Sequence, residues 1–136
     1  MEAKAFLLEG RIVAVSVSNR KGIKKSNLPE CKLLEGEGLD GDAHAGDWHR
    51  QVSLLAMESI NKIRGKGLEV SPGDFAENIT TSGLRIWELP MGTRLAVGGE
   101  ALLEVTQIGK ECHDRCAIYH QVGDCVMPRE GVFTRV

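Results

Sequence analysis

The segment "TRLAVGGEALLEVTQIG", residues 93–109, constrains the fold most, because it predicts two strands joined by a tight turn. The Gly98–Gly99 pair separates one strand-like run from a second through Leu102–Ile108, which is typical of a β-hairpin. Residues 10–18, "GRIVAVSVS", also alternate like a strand, with Ile12 and Ala14 on one face and Val13, Val15 and Val17 on the other. Further strands are predicted near residues 77–81 and in the final "GVFTRV". The sequence therefore indicates several short, paired strands.

One helix is predicted over residues 53–65, "SLLAMESINKIRG". Apolar residues recur there at spacings of three and four, as on one face of a helix: Leu54, Met57, Ile60 and Ile63. We expect Ser53 to cap its N-terminus, and Glu58 to pair with Lys62 one turn later. With the short strands and glycine-rich turns, this predicts a mainly β fold. We expect a barrel or sandwich with a few short helices, in a single domain over residues 1–136.

Composition argues against several classes of protein. The 136 residues carry a net charge of −2, so nothing in the charge balance favours nucleic acid or a membrane surface as a partner. No stretch approaches the roughly 20 apolar residues of a membrane span, and no signal peptide is apparent. Four cysteines are too few for a secreted disulfide scaffold. We therefore expect a cytoplasmic monomer or small homo-oligomer, with cysteines as free thiols or metal ligands.

Three polar segments are candidates for ligand binding. Residues 38–55, "GLDGDAHAGDWHRQVSLL", carry acids and histidines at intervals of two or three among glycines: Asp40, Asp42, His44, Asp47 and His49. This pattern suits a loop around an anion or metal, and equally a polar turn that bonds local amides. In "PGDFAENITTSG", residues 72–83, Glu77 and Asn78 would orient a ligand or cap strand ends. Residues 20–25, "RKGIKK", suit phosphate recognition or a solvated face.

The segment "ECHDRCAIYH", residues 111–120, crowds metal-ligating side chains together. With the cysteine that follows, they are Cys112, His113, Cys116, His120 and Cys125. Their spacing is consistent with zinc, although there is no C-x2-C knuckle and a domain of this size does not need a structural ion. Alternatively, positive neighbours, Lys110 and Arg115 among them, favour a reactive Cys112 thiolate. Buried structural cysteines are a third interpretation, and the residues by themselves leave all three open.

Taken together, these segments resemble the MOSC domain, named for the C-terminal part of molybdenum-cofactor sulfurases. "KGIKK" is similar to the family's early basic motif, "GLDGDAHAGDWHRQVSLL" to its Gly-Asp-His-Arg-Gln block and "GDFAENITTSG" to its Gly-acid-Glu-Asn segment. "VTQIGKEC" is similar to the strand and loop that end in the family cysteine. "DCVMPREGVFTRV" is similar to the C-terminal block of small stand-alone bacterial members. Several such blocks in the right order are a specific signal.

The resemblance implies a β-barrel whose motif loops gather at one site, where molybdenum cofactor (molybdopterin) binds or sulfur is carried. It assigns the catalytic, metal-binding cysteine to Cys112. The implied cofactor-binding positions are Lys24, Lys25, Asp42, His44, Arg50, Gln51, Glu77 and Asn78. Secondary candidates are His113, Arg115, Cys116 and His120. The aminotransferase-like domain of full sulfurases is absent from these residues, so no pyridoxal phosphate is expected in this chain alone.

Three functions follow as hypotheses. The leading one is a stand-alone MOSC domain that binds a molybdenum-cofactor-type ligand, or exchanges sulfur with donor and acceptor proteins through a Cys112 persulfide. The second is a molybdenum-cofactor-dependent reductase of N-hydroxylated compounds. The third is a non-catalytic zinc or interaction module built on Cys112, Cys116, His120 and Cys125.

Overall fold

The computed structural model describes residues 9–21, 23–109 and 127–136. The first strands are β1 (Arg11–Val17), β2 (Ser26–Leu28), β3 (Leu33–Leu34), β4 (Gly38–Leu39) and β5 (Val52–Ala56). Helix α1 (Met57–Arg64) follows, then β6 (Ile79–Ser82), a 3-10 turn (Ile86–Glu88), β7 (Arg94–Val97) and β8 (Ala101–Ile108). The last elements are the short helix α2 (Met127–Glu130) and strand β9 (Val132–Arg135).

Seven strands form one curled sheet in the order β2-β1-β6-β5-β9-β8-β7, and β3 and β4 form a separate small pair. The β5–β6 pair is parallel, and the other pairs in the sheet are antiparallel. The register shifts between Ile12 and Ala14 in β1 and between Val105 and Gln107 in β8. Such irregularities bend a strand and increase its twist, so the sheet curls into a half-barrel. The predicted mainly β fold is confirmed.

The predicted hairpin at residues 93–109 is confirmed as β7 and β8. Leu95 pairs with Leu103 and Val97 with Ala101 across the turn. The inward residues of both strands join the core inside the curl, where Leu103 is fully buried. One face of the hairpin packs on this core and the other meets solvent, as is common for antiparallel strands.

The helix begins at Met57 rather than at Ser53, because residues 52–56 form the central strand β5. Every residue of β5 is buried, with Leu54 in the core inside the curl and Leu55 in the core beneath α1. A strand buried on both faces has no polar side. The apolar residues of β5 therefore continued the helical spacing of α1 without belonging to it.

The predicted ion pair between Glu58 and Lys62 is wrong as well. Lys62 Nζ lies 2.8 Å from a carboxylate oxygen of Glu130 in α2, a residue that also accepts a hydrogen bond from Ser59. Glu58 instead accepts a hydrogen bond from the backbone N–H of Gly83. Helix α1 is thus tied to the segments packed around it rather than stabilised within itself.

Within the described ranges, no helix has the length and apolar character needed to cross a bilayer.

Candidate functional site

Lys25 joins two of the predicted motifs at a buried ion pair. Its Nζ lies 2.7 Å from Oδ1 of Asp42, and both side chains are 0% exposed. The same Nζ lies 3.3 Å from Oγ of Ser18 and 3.0 Å from Nδ1 of His44. A lysine ammonium has three N–H donors, and these three contacts use all of them. Lys25 therefore organises the loop around Asp42 and His44.

The carboxylate of Asp42 is held in its charged form. Its oxygens also accept hydrogen bonds from the backbone N–H groups of Ser18 and His44, at 3.1 and 3.0 Å. Burial by itself would raise the pKa of Asp42, but hydrogen bonds with His44, Lys25 and Ser18 outweigh burial and hold the pKa well below its usual range. The ion pair with Lys25 is consequently maintained at neutral pH.

An aromatic stack continues from His44 along the same loop. The rings of His44 and Trp48 are parallel, with centroids 6.1 Å apart, and Trp48 Nε1 donates to the carbonyl of His44 at 2.7 Å. His49 packs edge-on against Trp48. The ammonium of Lys21 lies 4.5 Å from the centre of the Trp48 ring, a favourable cation–π geometry. The loop thus presents an aromatic surface flanked by positive charge.

Gln107 on β8 fixes the far end of the loop. Its Oε1 lies 2.9 Å from Nε2 of His49 and accepts a hydrogen bond from Nε of Arg50 at 3.1 Å. The Arg50 guanidinium also lies 5.0 Å from the ring centre of Phe133. These contacts hold Arg50 against the sheet. Its side chain is half-buried, so the guanidinium can still be reached from the surface.

The connected side chains are called the polar row: Lys25, Asp42, His44, Trp48, His49, Gln107 and Arg50. Each contacts the next through the distances given above. Lys25 and Asp42 neutralise each other, so Arg50 and the neighbouring Lys21 supply the positive charge. Asp40 and Asp47 are exposed on the same loop. Together with Lys21, the row combines hydrogen-bond donors, an aromatic surface and two cations, which suits a planar, anionic ligand.

One cavity among the described residues lies apart from the polar row. A cavity of about 650 Å³ lies between β1 and β7 and is lined largely by apolar residues such as Ile12, Leu54 and Leu95. None of the row's members lines it. The hydrogen-bond donors and charges of the row are the features that mark the candidate site.

Glu77 is fully buried and bonds the turn that packs against the backbone of Lys25. Its Oε1 accepts hydrogen bonds from the backbone N–H groups of Gly73 and Phe75, and its Oε2 accepts one from Thr80 Oγ1. The backbone N–H of Lys25 in turn donates to the carbonyl of Gly73 at 2.9 Å. Burial raises the pKa of Glu77, and the hydrogen bonds it accepts offset this in part. Glu77 thus shapes the turn on which the backbone of Lys25 rests.

Gly73 is required at this turn. Its φ is +94°, a conformation that side chains rarely adopt, and an added Cβ would lie 2.4 Å from the carbonyl oxygen of Lys25. The close approach of the two backbones leaves no room for a side chain. The glycine in the "GDFAEN" motif is therefore explained by packing against the Lys25 strand.

Asn78 and Gln51 connect strands. Asn78 Oδ1 accepts from the backbone N–H of Ser53, and its Nδ2 donates to the carbonyl of Ser16. Gln51 Oε1 accepts from the backbone N–H of Val136 at 2.9 Å. Both residues are buried. Their hydrogen bonds are with β5, β1 and the C-terminal residue, and within the described part of the chain neither side chain bonds to a member of the polar row.

The structure brings together some of the predicted residues and separates others. Lys25, Asp42, His44 and Arg50 belong to the polar row, whereas the side chain of Lys24 is exposed and makes no described contact with it. The predicted residues Cys112, His113, Arg115, Cys116, His120 and Cys125 lie outside the described residues. Among the residues that are described, no cluster of three or more His, Cys, Asp or Glu side chains is arranged to hold a metal ion.

Three members of the site were not predicted. Trp48 lies inside the "GDWHR" block, where an aromatic residue between two polar ones was a usable signal. Gln107 is a polar residue in the last part of an apolar strand, beside a register shift. Ser18, which bonds Lys25 and Asp42, had no distinguishing signal in the sequence.

Comparisons with known proteins agree with this fold. A family model described as the MOSC domain matches residues 40–130. The structure is similar to YuaD from Bacillus subtilis, with a TM-score of 0.76 and 17% identity over 93% of this chain and 87% of that one. It is also similar to YiiM from Geobacillus stearothermophilus, with a TM-score of 0.66 and 22% identity over 94% of this chain and 68% of that one. A third similar structure is YiiM from Escherichia coli, with a TM-score of 0.61 and 22% identity over 90% of this chain and 60% of that one.

At these identities the solved structures show a shared fold. A comparison with curated proteins finds no match. The family model, however, spans more than half of the chain, including the loop of Asp42, His44 and Arg50. The chain therefore belongs to the MOSC domain family.

Proposed function

We propose that this protein binds a molybdenum-cofactor-type ligand along the polar row and uses Cys112 as the sulfur that ligates the metal or carries a persulfide. The observation that carries the proposal is the meeting of separate motifs. Lys25 from the "KGIKK" segment bonds Asp42 and His44, while Arg50 from the same loop bonds Gln107 on the strand that leads toward Cys112. Nothing about packing alone requires charged and aromatic side chains to converge there.

The described residues fit the organic and anionic part of such a ligand. Arg50 and Lys21 would hold a phosphate, since a guanidinium and an ammonium are its usual partners in proteins. Trp48 and His44 would contact a planar ring system. When bound, the cofactor would supply a molybdenum centre for oxygen or sulfur chemistry, and a cysteine thiolate is a suitable soft ligand for it.

The connection between the row and Cys112 is short. Gln107 Nε2 donates to the carbonyl of Gly109, whose N–H donates to the carbonyl of Gly131. Cys112 follows Gly109 by three residues, and three residues span at most about 11 Å. The covalent chain therefore supports a thiol within reach of a ligand that also contacts Arg50.

The proposed sulfur-carrier chemistry is a thiol–persulfide exchange. The Cys112 thiolate attacks the terminal sulfur of a donor persulfide, R–S–SH, so that a new S–S bond forms and the donor S–S bond breaks. Cys112 becomes Cys112–S–SH and the donor leaves as the thiolate R–S⁻. Attack by an acceptor thiolate on the terminal sulfur then breaks the Cys112 S–S bond, leaves the persulfide on the acceptor and regenerates the Cys112 thiolate.

Elemental and cofactor analysis tests the binding part. Protein purified from a host supplied with molybdate is expected to contain molybdenum and a releasable pterin, and the Cys112→Ala variant is expected to lose the molybdenum. Turnover of an N-hydroxylated compound with a chemical reductant would identify the reductase among molybdenum-containing outcomes. One tightly bound zinc per chain, with unfolding on chelation, would instead support the zinc module and contradict the proposal.

Mass spectrometry tests the sulfur part. After incubation with a small-molecule persulfide donor, the wild-type protein is expected to gain one sulfur atom on Cys112. Cys31→Ala is a matched control that removes a different thiol and is expected to gain the same sulfur. If Cys112→Ala retained both its molybdenum and its persulfide, the assignment of Cys112 would be wrong.

A further inference from the structure

The imidazole of His44 is held from two sides. Its Nδ1 lies 3.0 Å from Nζ of Lys25, and its ring stacks against Trp48. Its backbone N–H donates to Asp42, and its carbonyl accepts from Trp48. Both the position and the orientation of the ring are therefore determined before any ligand arrives.

The contact with Lys25 also determines where the ring carries its proton. The ammonium of Lys25 is only a donor, and Asp42 Oδ1 at 2.7 Å accepts one of its hydrogens. The Ser18 hydroxyl donates to the carbonyl of Arg20 at 2.7 Å, so toward Lys25 it acts as an acceptor. The third ammonium hydrogen is left for His44 Nδ1, which must offer a lone pair.

An imidazole whose Nδ1 accepts a hydrogen bond carries its proton on Nε2 in the neutral form. The Nε2 atom has no hydrogen-bond partner among the described residues, and the His44 side chain is 21% exposed. The ring therefore presents an N–H donor at the surface of the polar row. Asp42 Oδ2 lies 3.5 Å from Nδ1, farther than the 3.0 Å to Lys25 Nζ, so Lys25 makes the closer contact with that nitrogen.

We propose that His44 is a specificity-determining residue that recognises an anionic oxygen through a fixed Nε2–H, and that it is not a metal ligand. This rests on the proposed function and narrows it, since His44 would contact the oxygen-bearing part of the ligand. Coordination of a metal through Nε2 requires that nitrogen to lose its proton, and Nδ1 cannot take the proton while Lys25 occupies it. A cation on Nε2 would also lie close to the charge of Lys25.

Nuclear magnetic resonance on the full-length, ¹⁵N-labelled protein tests the tautomer. Long-range ¹H–¹⁵N correlations distinguish a ring protonated on Nδ1, on Nε2 or on both, and the His44→Gln spectrum assigns the His44 signals among the four histidines. At pH 7 the wild-type ring is expected to show the Nε2–H pattern. A ring protonated on Nδ1, or on both nitrogens, would overturn the inference.

The role of Lys25 is tested with a matched pair of variants. Lys25→Met removes the donor while keeping a long side chain, and it is expected to shift His44 toward a mixture of tautomers. Lys32→Met removes an exposed lysine and is expected to leave the His44 pattern unchanged. If Lys25→Met does not fold, the wild-type spectrum alone still decides the tautomer.

The ligand class is tested by titration with inorganic phosphate and, separately, with Zn²⁺, both in the Cys112→Ala background. Phosphate is expected to shift the His44 Nε2–H signal, with about tenfold weaker binding in His44→Ala and near wild-type binding in His44→Gln, whose amide keeps a donor. An unmoved signal with phosphate, or loss of the Nε2 proton with Zn²⁺, contradicts the inference. Because Cys112 is absent, this outcome is independent of the persulfide and molybdenum measurements.

Discussion

Lys25 Nζ and Asp42 Oδ1 lie 2.7 Å apart with both side chains 0% exposed. This ion pair joins the loop that follows β4 to the residue directly before β2. Charges without access to water are tolerated in a protein only when paired and hydrogen-bonded. Here Ser18 and His44 complete the hydrogen bonds of the two groups. The pair consequently links the stability of the domain to the geometry of its site.

Breaking this pair from one side should be costly. Lys25→Met leaves the Asp42 carboxylate buried without its counter-ion, and we expect the free energy of unfolding to fall by about 3–5 kcal/mol. Urea unfolding followed by circular dichroism measures the change. Lys24→Met, at the exposed neighbouring position, should change it by no more than about 0.5 kcal/mol.

The double variant provides the internal check. Lys25→Met combined with Asp42→Asn should destabilise by less than the sum of the single changes, because the second substitution removes the unpaired charge. Strict additivity would mean that the two groups do not interact in solution.

Asp42 should make the protein sensitive to acid. Its folded-state pKa lies below the unfolded value, so the folded state binds fewer protons and the carboxylate contributes stability above an unfolded pKa of about 3.9. That contribution is lost as pH falls from there toward the folded-state pKa. We expect the difference in unfolding free energy between wild type and Asp42→Asn to shrink between pH 7 and pH 3. A difference that does not change with pH would contradict the assignment.

Glu77 should show the opposite dependence. Its pKa is raised in the folded protein by burial, so its contribution is fully present below the unfolded pKa of about 4.3 and is lost as pH rises through the folded-state pKa. Glu77→Gln does not titrate, so wild type should lose stability relative to this variant as pH rises. Equilibrium unfolding of both proteins from pH 4 to pH 8 measures this.

A second comparison separates the charge of Glu77 from its hydrogen bonds. A glutamine can accept from Gly73 and Phe75 through Oε1 and donate to Thr80 through Nε2, so we expect Glu77→Gln to remain within about 1 kcal/mol of wild type near neutral pH. Glu77→Ala leaves two buried N–H groups without a partner and should cost at least about 2 kcal/mol. Equal stability of the two variants would show that these hydrogen bonds do not matter.

Cys31 should react slowly. Burial raises the pKa of its thiol, which lowers the thiolate fraction near neutral pH. We expect iodoacetamide to modify Cys31 more slowly than an exposed peptide thiol at pH 7.5, and the rate to increase with pH. Peptide mass spectrometry over a time course provides the measurement. Modification of Cys31 before every other cysteine would contradict the prediction.

Local patterns in the sequence were sufficient for much of the fold. The Gly98–Gly99 turn between two strand-like runs predicted the paired strands β7 and β8 correctly, because such a turn is a signal contained in a few adjacent residues. The order of the motif blocks predicted the MOSC family, which the family model confirms. The same local approach misplaced the start of α1, because β5 is buried on both faces and has no alternation to recognise.

The sequence by itself determined which residues were available for the site, and only the tertiary structure decided what each of them does. Lys24 and Lys25 are neighbours of identical chemistry, yet one is exposed and the other is buried against Asp42 and His44. Glu77 was predicted either to orient a ligand or to cap a strand end, and its oxygens accept hydrogen bonds from Gly73, in the turn against Lys25, and from Thr80 in β6. The physical reason is that burial and hydrogen-bond partners come from segments distant in the chain. A residue type specifies the donors and charges it can offer, and its neighbours in space determine which remain for a ligand.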